Sequence, residues 1–338
     1  MKDLPVLLLY NLDPAWPDGD LDIAVQEADR LASGLGELGH PVAAVAVRNV
    51  DLAACLRSYD PREWIVFNLC EELPGIPHSD ALVAEILETC GFTYTGPTPD
   101  VLRLCWDKAG MKQLLKEQDL PTPRWRIYAT ADPGDWRWFP AMVKPAQEHC
   151  SLGVTPDAVV RDAGELRARI AHVLHEFRQP ALVEDFIDGR EFHVTLWGNG
   201  ELQMLPVAEM DFSRFDDVRD RLCTYESKYH PGSRHYEGIQ LLLPAPLTEA
   251  EYDLLYRTAQ SAYRAYRCRD FARLDIRLRD GVFYILDINP NPDISSDNSM
   301  ACAAEAAGYS FGAMGSHLIG LAAVRHPVFG HRFSAASD

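Results

Sequence analysis

The sequence predicts an α/β protein, with a parallel-sheet domain first and α+β subdomains after it. Early in the chain, strand-length apolar runs at residues 5–12, 41–47 and 64–69 alternate with helical segments at 21–38 and 51–57. Strands alternating with helices indicate a small parallel sheet with crossover helices. Near the C-terminus the pattern changes, because residues 271–289 read as two strands joined by the tight turn Arg279-Asp280-Gly281. A chain of 338 residues is long enough for two or three domains with substantial cores.

Composition sets the outer bounds. No apolar run approaches the ~18 residues of a membrane span, and the apolar start of the chain reads as a first strand, too short and without the cleavage site of a signal peptide. The eight cysteines show no CxxC or finger-like spacing, which fits reduced thiols in a cytoplasmic protein better than disulfides or zinc. A formal net charge of −18 argues against non-specific nucleic-acid binding. It leaves an anionic nucleotide open, since screening beyond ~8 Å lets local lysines govern a pocket.

The elements follow in order. In residues 21–38, Ala24, Ala28, Leu31, Leu35 and Leu38 recur at helical spacing. Gly34-Leu35-Gly36-Glu37-Leu38-Gly39 matches GxGxxG, but it ends a helix and precedes a strand. A dinucleotide fingerprint does the reverse, so Gly39 reads as a helix C-cap. An amphipathic helix at 80–89 and another ending near Lys116 precede Leu120-Pro121-Thr122-Pro123, which opens a new strand; a domain boundary falls near 98–107. Residues 139–144 form a strand ending at Lys144, and a loop through His149, Cys150 and Ser151 to Gly153 follows. Trp136 and Trp138 read as strand aromatics on a packed face, since the net charge disfavours base stacking. In the helix at 163–177, His172 and His175 lack a third ligand and read as surface residues. Residues 191–197 and 201–209 pair about Gly198-Asn199-Gly200. Residues 211–240 are polar with few apolar anchors, which predicts a mobile lid. Thr248 and Glu251 form a capping box that starts a helix to about Arg267, and helices at 301–307 and 311–324 close the chain.

The hairpin carries the chemistry. Alternation puts Arg273, Asp275 and Arg277 on one face of its first strand, and Asp287 and Asn289 point the same way from the second. Two carboxylates and an amide oxygen suit Mg²⁺ (or Mn²⁺), completed by water and phosphate. A solvated hairpin with alternating charges fits the same pattern.

Arg273-Leu274-Asp275, Asp287-Ile288-Asn289 and the loop Pro290-Asn291-Pro292 resemble the metal-binding end of the ATP-grasp superfamily, in particular D-alanine–D-alanine ligase-like proteins. Asp287 stands where Glu is more usual. The resemblance runs from Thr93 to Phe311 with its motifs in family order. It implies an ATP-grasp fold: an N-terminal domain over residues 1–100 and two α+β subdomains, 101–187 and 188–330, enclosing ATP. It implies that Lys108, Lys144 and the loop with Ser151 hold phosphates, and that Lys228 of Ser227-Lys228-Tyr229 reaches the γ-phosphate from the lid. Glu184 and Ile187 would meet the adenine, and Glu191 the ribose. Asp275, Asp287 and Asn289 would bind Mg²⁺, and Arg273 and Lys228 would serve catalysis. Tyr229, Asp293, Asn298 and Ser299 would border the substrate.

The activity implied is a cytoplasmic, ATP-dependent carboxylate–amine ligase working through an acyl phosphate on amino-acid-like small molecules, compatible with a homodimer. Partnership with nucleic acid or membrane is not expected. A phosphotransferase, or a nucleotide-binding protein without turnover, would use the same nucleotide residues. The match weakens in the N-terminal third. The acidic residues 13–22 replace the Ser- and Glu-containing loop expected after strand one, and Phe67-Asn68-Leu69-Cys70-Glu71-Glu72 lacks the family's His-Gly. With Asp293 in place of a Gly and Asp297 nearby, a cationic or uncharged-tail amine is expected in preference to D-alanine.

Overall fold

The computed structural model describes residues 3–148 and 151–334, so His149 and Cys150 of the phosphate-loop expectation lie outside it. Among the described residues, three sheets organise the chain. The first is parallel, in the order β2 (Val42–Val47), β1 (Val6–Asn11), β3 (Ile65–Leu69), β4 (Thr93–Tyr94). Helices α1 (Asp18–Glu37), α2 (Leu52–Leu56) and α3 (Asp80–Thr89) connect its strands. The central strand β1 is apolar on both faces because both are covered. Val6 and Leu8 pack with Leu31 and Leu35 of α1, while Leu7 and Leu9 pack with Leu52 of α2 and Val83 of α3.

Helices α4 (Pro99–Trp106) and α5 (Lys108–Glu117) lead to the second, antiparallel sheet, ordered β5 (Trp125–Tyr128), β8 (Ala181–Asp185), β6 (Ala141–Pro145), β7 (Val159–Val160). It is backed by α6 (Ala163–Glu176) through Leu166, Ile170 and Val173. Trp136 and Trp138 lie in the loop between β5 and β6, not in a strand as expected; Trp136 is buried and meets Trp138 edge-on at 5.2 Å. Indole bulk closes the end of this core without ladder hydrogen bonds.

The third sheet runs β12 (Gln240–Leu242), β11 (Ala208–Asp211), β9 (Arg190–Trp197), β13 (Phe271–Arg279), β14 (Val282–Asn289), with β10 (Gln203–Met204) beside β9. One face packs on α9 (Glu249–Ala265), whose Thr248–Glu251 capping box is formed. The other face carries the polar residues of the hairpin. Between β11 and β12 the polar segment folds into α7 (Tyr225–Tyr229) and α8 (Arg234–Gly238). The expectation of few anchors is corrected there: Phe212, Phe215 and Leu222 are buried, and Leu222 packs on Val159 and Phe186.

Helices α10 (Ser299–Ala306) and α11 (Phe311–Ala323) return to the first sheet and share its core with α1. A Cβ on Gly312 would lie 2.4 Å from the Gly34 carbonyl oxygen, so both positions need glycine for the helices to approach this closely. The GxGxxG run therefore begins at a helix-packing contact.

Candidate active site

The β13–β14 hairpin closes on Asp280-Gly281, both at positive φ (53° and 75°), the geometry of a two-residue type I′ turn. Counting back from Arg279↔Val282, an unbroken ladder would set Asp275 opposite Leu286 and turn Asp287 toward the core. The ladder is broken instead. Ile276 pairs with Ile285 but Asp275 pairs with Asp287, leaving Leu286 as a bulge. Beyond it Arg273 pairs with Asn289. The bulge thus turns Asp287 and Asn289 onto the face of Asp275 and Arg273 while Ile285 and Ile288 stay buried.

The bulge has a dedicated partner that the sequence reading missed. Lys112, completely buried, donates from Nζ to the carbonyls of Ile285 (3.3 Å) and Leu286 (3.0 Å) and to Thr122 Oγ1 (2.9 Å). Its ammonium also pairs with Glu184 Oε1 at 2.5 Å, and Lys144 pairs with Glu184 Oε2 at 2.7 Å. Burial raises Glu184, but these two cations outweigh it and hold its carboxyl below the usual range. Burial depresses Lys112 to about 8. Four residues before Lys112 on the same helix face, Lys108 reaches Asp287 Oδ2 at 3.0 Å. That spacing was visible in the sequence and is the signal that could have exposed Lys112.

The hairpin face is dense in charge. Arg273 donates from Nε to Asp275 Oδ1 (2.8 Å) and from Nη1 to Asn298 Oδ1 (3.4 Å). Asn289 donates to Asp275 Oδ2 at 3.2 Å. Against the burial that would raise it, Arg273, His193 and Lys228 keep Asp275 low, so the exposed Lys228 on α7 lies within electrostatic reach of the hairpin. Tyr229 ends that helix, and its side chain lies outside the description. Asp275, Asp287 and Asn289 offer converging hard oxygens from paired positions, a donor set that fits Mg²⁺.

Among the other expected residues, Glu191 is gripped by Arg277, with Nε at 2.7 Å and Nη2 at 2.6 Å. Arg277 also donates to the Ile187 carbonyl (2.9 Å) and lies over the rings of Phe186 and Phe212. Ser151 sits in the β6–β7 loop at φ 60°, away from any strand. Asp293 accepts from Ser295 N and Oγ and from Asn298 Nδ2, which shapes the loop after β14. Ser299 faces His193.

That loop borders a cavity of about 140 Å³ against the first sheet. Its wall holds the carboxylates Glu27, Glu71 and Asp293 and the rings of Tyr10, Trp16, Phe271 and Phe311. Among the described residues, no lysine, arginine or histidine lines it. Glu71 is exposed at the cavity mouth, and the protein around it, then Asp293, Asp80 and Glu72, raises its carboxyl above the usual range.

The family model described as D-ala D-ala ligase C-terminus matches residues 114–320. An uncharacterized protein of Sinorhizobium fredii is 31% identical, covering 92% of this chain and 90% of that one. A D-alanine–D-alanine ligase of Desulforudis audaxviator is 31% identical, covering 90% and 95%. The solved D-alanine–D-alanine ligase from Bacillus anthracis complexed with ATP aligns with a TM-score of 0.71 at 18% identity, covering 94% of this chain and 97% of that one. With this hairpin, these three sheets and a family match over more than half its length, the chain belongs to the D-alanine–D-alanine ligase family of ATP-grasp ligases.

Proposed function

We propose that the protein joins a carboxylate to an amine at the expense of ATP, through an acyl phosphate, with a net-cationic or uncharged-tail amine rather than zwitterionic D-alanine as its preferred partner. The observation that carries this reading is the juxtaposition of the hairpin face with an acidic, aromatic-walled cavity that begins two residues past Asn289. The relatives named for D-alanine ligation share the family, and the cavity chemistry argues for a different substrate.

The chain's groups fit the steps. The substrate carboxylate takes the γ-phosphoryl group of ATP; the amine nitrogen then bonds to the acyl carbon, phosphate leaves, and one proton passes to solvent. Lys108 and Lys144 exchange carboxylate partners for phosphate oxygens, each close pair giving on the order of 4 kcal/mol before desolvation at an effective dielectric near 20. A Mg²⁺ or Mn²⁺ on Asp275, Asp287 and Asn289 would offset phosphate charge. Arg273 reaches the developing oxyanion, and residues 211–240 with Lys228 cover the acyl phosphate from water. At the cavity, carboxylates and ring faces together attract an ammonium group. The Glu184 and Glu191 carboxylates are engaged by lysines and Arg277, so backbone groups near Ile187 carry more of the base recognition in this reading.

The test is hydroxylamine trapping across a panel of carboxylates, each paired with D-alanine or with diamines and basic amino acids, and read with phosphate release. An acyl hydroxamate and faster turnover with cationic amines are expected. Robust D-alanyl-D-alanine synthesis, or a stable phosphorylated product without amide, would overturn the reading.

A further inference from the structure

Beside the hairpin face, three chemically different donors converge. A carboxylate oxygen of Glu191, a ring nitrogen of His193 and the thiol of Cys223 all lie within 4.8 Å of one another. Glu191 and His193 are two apart on β9 and so share a face. Cys223 comes from a different part of the chain, the segment that also carries Lys228.

Both β9 donors are already oriented by outer partners. Arg277 holds Oε2 of Glu191, leaving Oε1 turned to His193 Nε2 at 3.9 Å. Nδ1 of the same ring sits against Ser299 Oγ at 3.2 Å, which fixes Nε2 toward the cluster. Ligands of a metal site are held in this way, each by a second group behind it. Asp275 Oδ1 is also 4.0 Å from Nε2, but Arg273 occupies it at 2.8 Å.

We propose that Glu191, His193 and Cys223 form a binding site for a borderline-soft divalent cation, with Zn²⁺ the best fit, separate from the oxygen donors Asp275, Asp287 and Asn289. A nitrogen–sulfur–oxygen set selects Zn²⁺ over Mg²⁺, which prefers oxygen alone. Metal–ligand bonds of about 2.0–2.3 Å require the donors to draw in by roughly an ångström, within side-chain reach. Binding converts the Cys223 thiol to thiolate and releases one proton; a fourth position is left to water. The bound cation ties residues 211–240 to β9 through Cys223 and occupies Glu191. If Glu191 meets the ribose, as the family resemblance implies, Zn²⁺ and ATP compete.

The experiment uses the full reduced chain, stripped of metal and without nucleotide, titrated with Co²⁺ and then Zn²⁺. One Co²⁺ per chain with a thiolate-to-cobalt absorption band is expected, displaced by Zn²⁺. Cys223→Ser should lose the band and weaken Zn²⁺ binding by about a hundredfold, while keeping its Mg²⁺-dependent phosphate release and becoming resistant to Zn²⁺ inhibition. Absence of the band in the unaltered chain, or its persistence in Cys223→Ser, would overturn the site. This readout does not depend on any ligase activity, so it stands or falls apart from the proposed function.

Discussion

Asp287 shows how a single carboxylate is placed by everything around it: a bulge turns it, Lys108 pairs with it, and Lys112 holds the bulge's carbonyls from behind. Asp287→Ala should leave the fold intact but reduce turnover more than about a hundredfold, together with the Mg²⁺-dependent part of ATP binding. Steady-state kinetics and Mg²⁺ titration of ATP affinity check this, and near-normal activity in a folded variant would refute the metal assignment. Glu71 gives the pH prediction. Its folded value of about 7 lies above its ordinary 4.5, so between these the native chain holds a proton the unfolded chain has lost. That contribution to stability is full below 4.5 and gone above 7. Because the Glu71 side chain is solvent-exposed, screening keeps this contribution small, and Glu71→Gln should raise Tm at pH 8 only slightly relative to the parent. If the cavity seats an ammonium group, KM for the amine should fall as pH rises through 7, and the Gln variant should lose that dependence.

At the scale of elements, strands and helices were legible because their apolar periods are strong: β1, β2 and β3 of the first sheet, α3, α9 and the hairpin fall within a few residues of their expected spans, while the two-residue β4 was not expected. The convergence on the hairpin face was legible only in part. Simple alternation groups Arg273, Asp275 and Arg277 correctly, but nothing in residue type marks Leu286 as an extra residue, and an unbroken ladder would have buried Asp287. The grip of Arg277 on Glu191 joins residues 86 apart in sequence, beyond the reach of local pattern. Residues 211–240 misled in the other direction, since three buried apolar side chains suffice to pin a mostly polar segment. Pinned at Phe212, Phe215 and Leu222, the segment still exposes Tyr225, Glu226 and Lys228 of α7. Hydrogen exchange should show residues 225–230 gaining protection with ATP and substrate, while those near Phe212 and Leu222 change little. Uniform protection with and without ligands would exclude a closing role.

For the whole molecule, the deciding contact is between α1 and α11, close to the two ends of the chain. Gly312→Ala would press a methyl group onto the Gly34 backbone. A cost of about 1–3 kcal/mol is expected, read as a lower Tm with ligand-saturated activity little changed. Asp270, with no exposed surface, adds a polar tie: it accepts from Arg325 (2.6 Å) and from the Gly96 amide (2.9 Å).

The return of α11 to the first sheet has a consequence for how the polypeptide is made. On the ribosome, β1 and α1 emerge first, and α1 covers part of the face formed by Val6, Leu8 and Phe67, but the rest of that face stays open until α10 and α11 have been synthesised. The first sheet is therefore completed late, and it spends the translation of more than two hundred intervening residues with part of an apolar face uncovered. A nascent chain stalled before residue 299 should remain protease-sensitive in its first hundred residues, and adding a peptide of residues 299–324 in trans should restore protection there. The segment 299–324 closes one face of the first sheet, so that core is completed only after this later stretch of chain has been made.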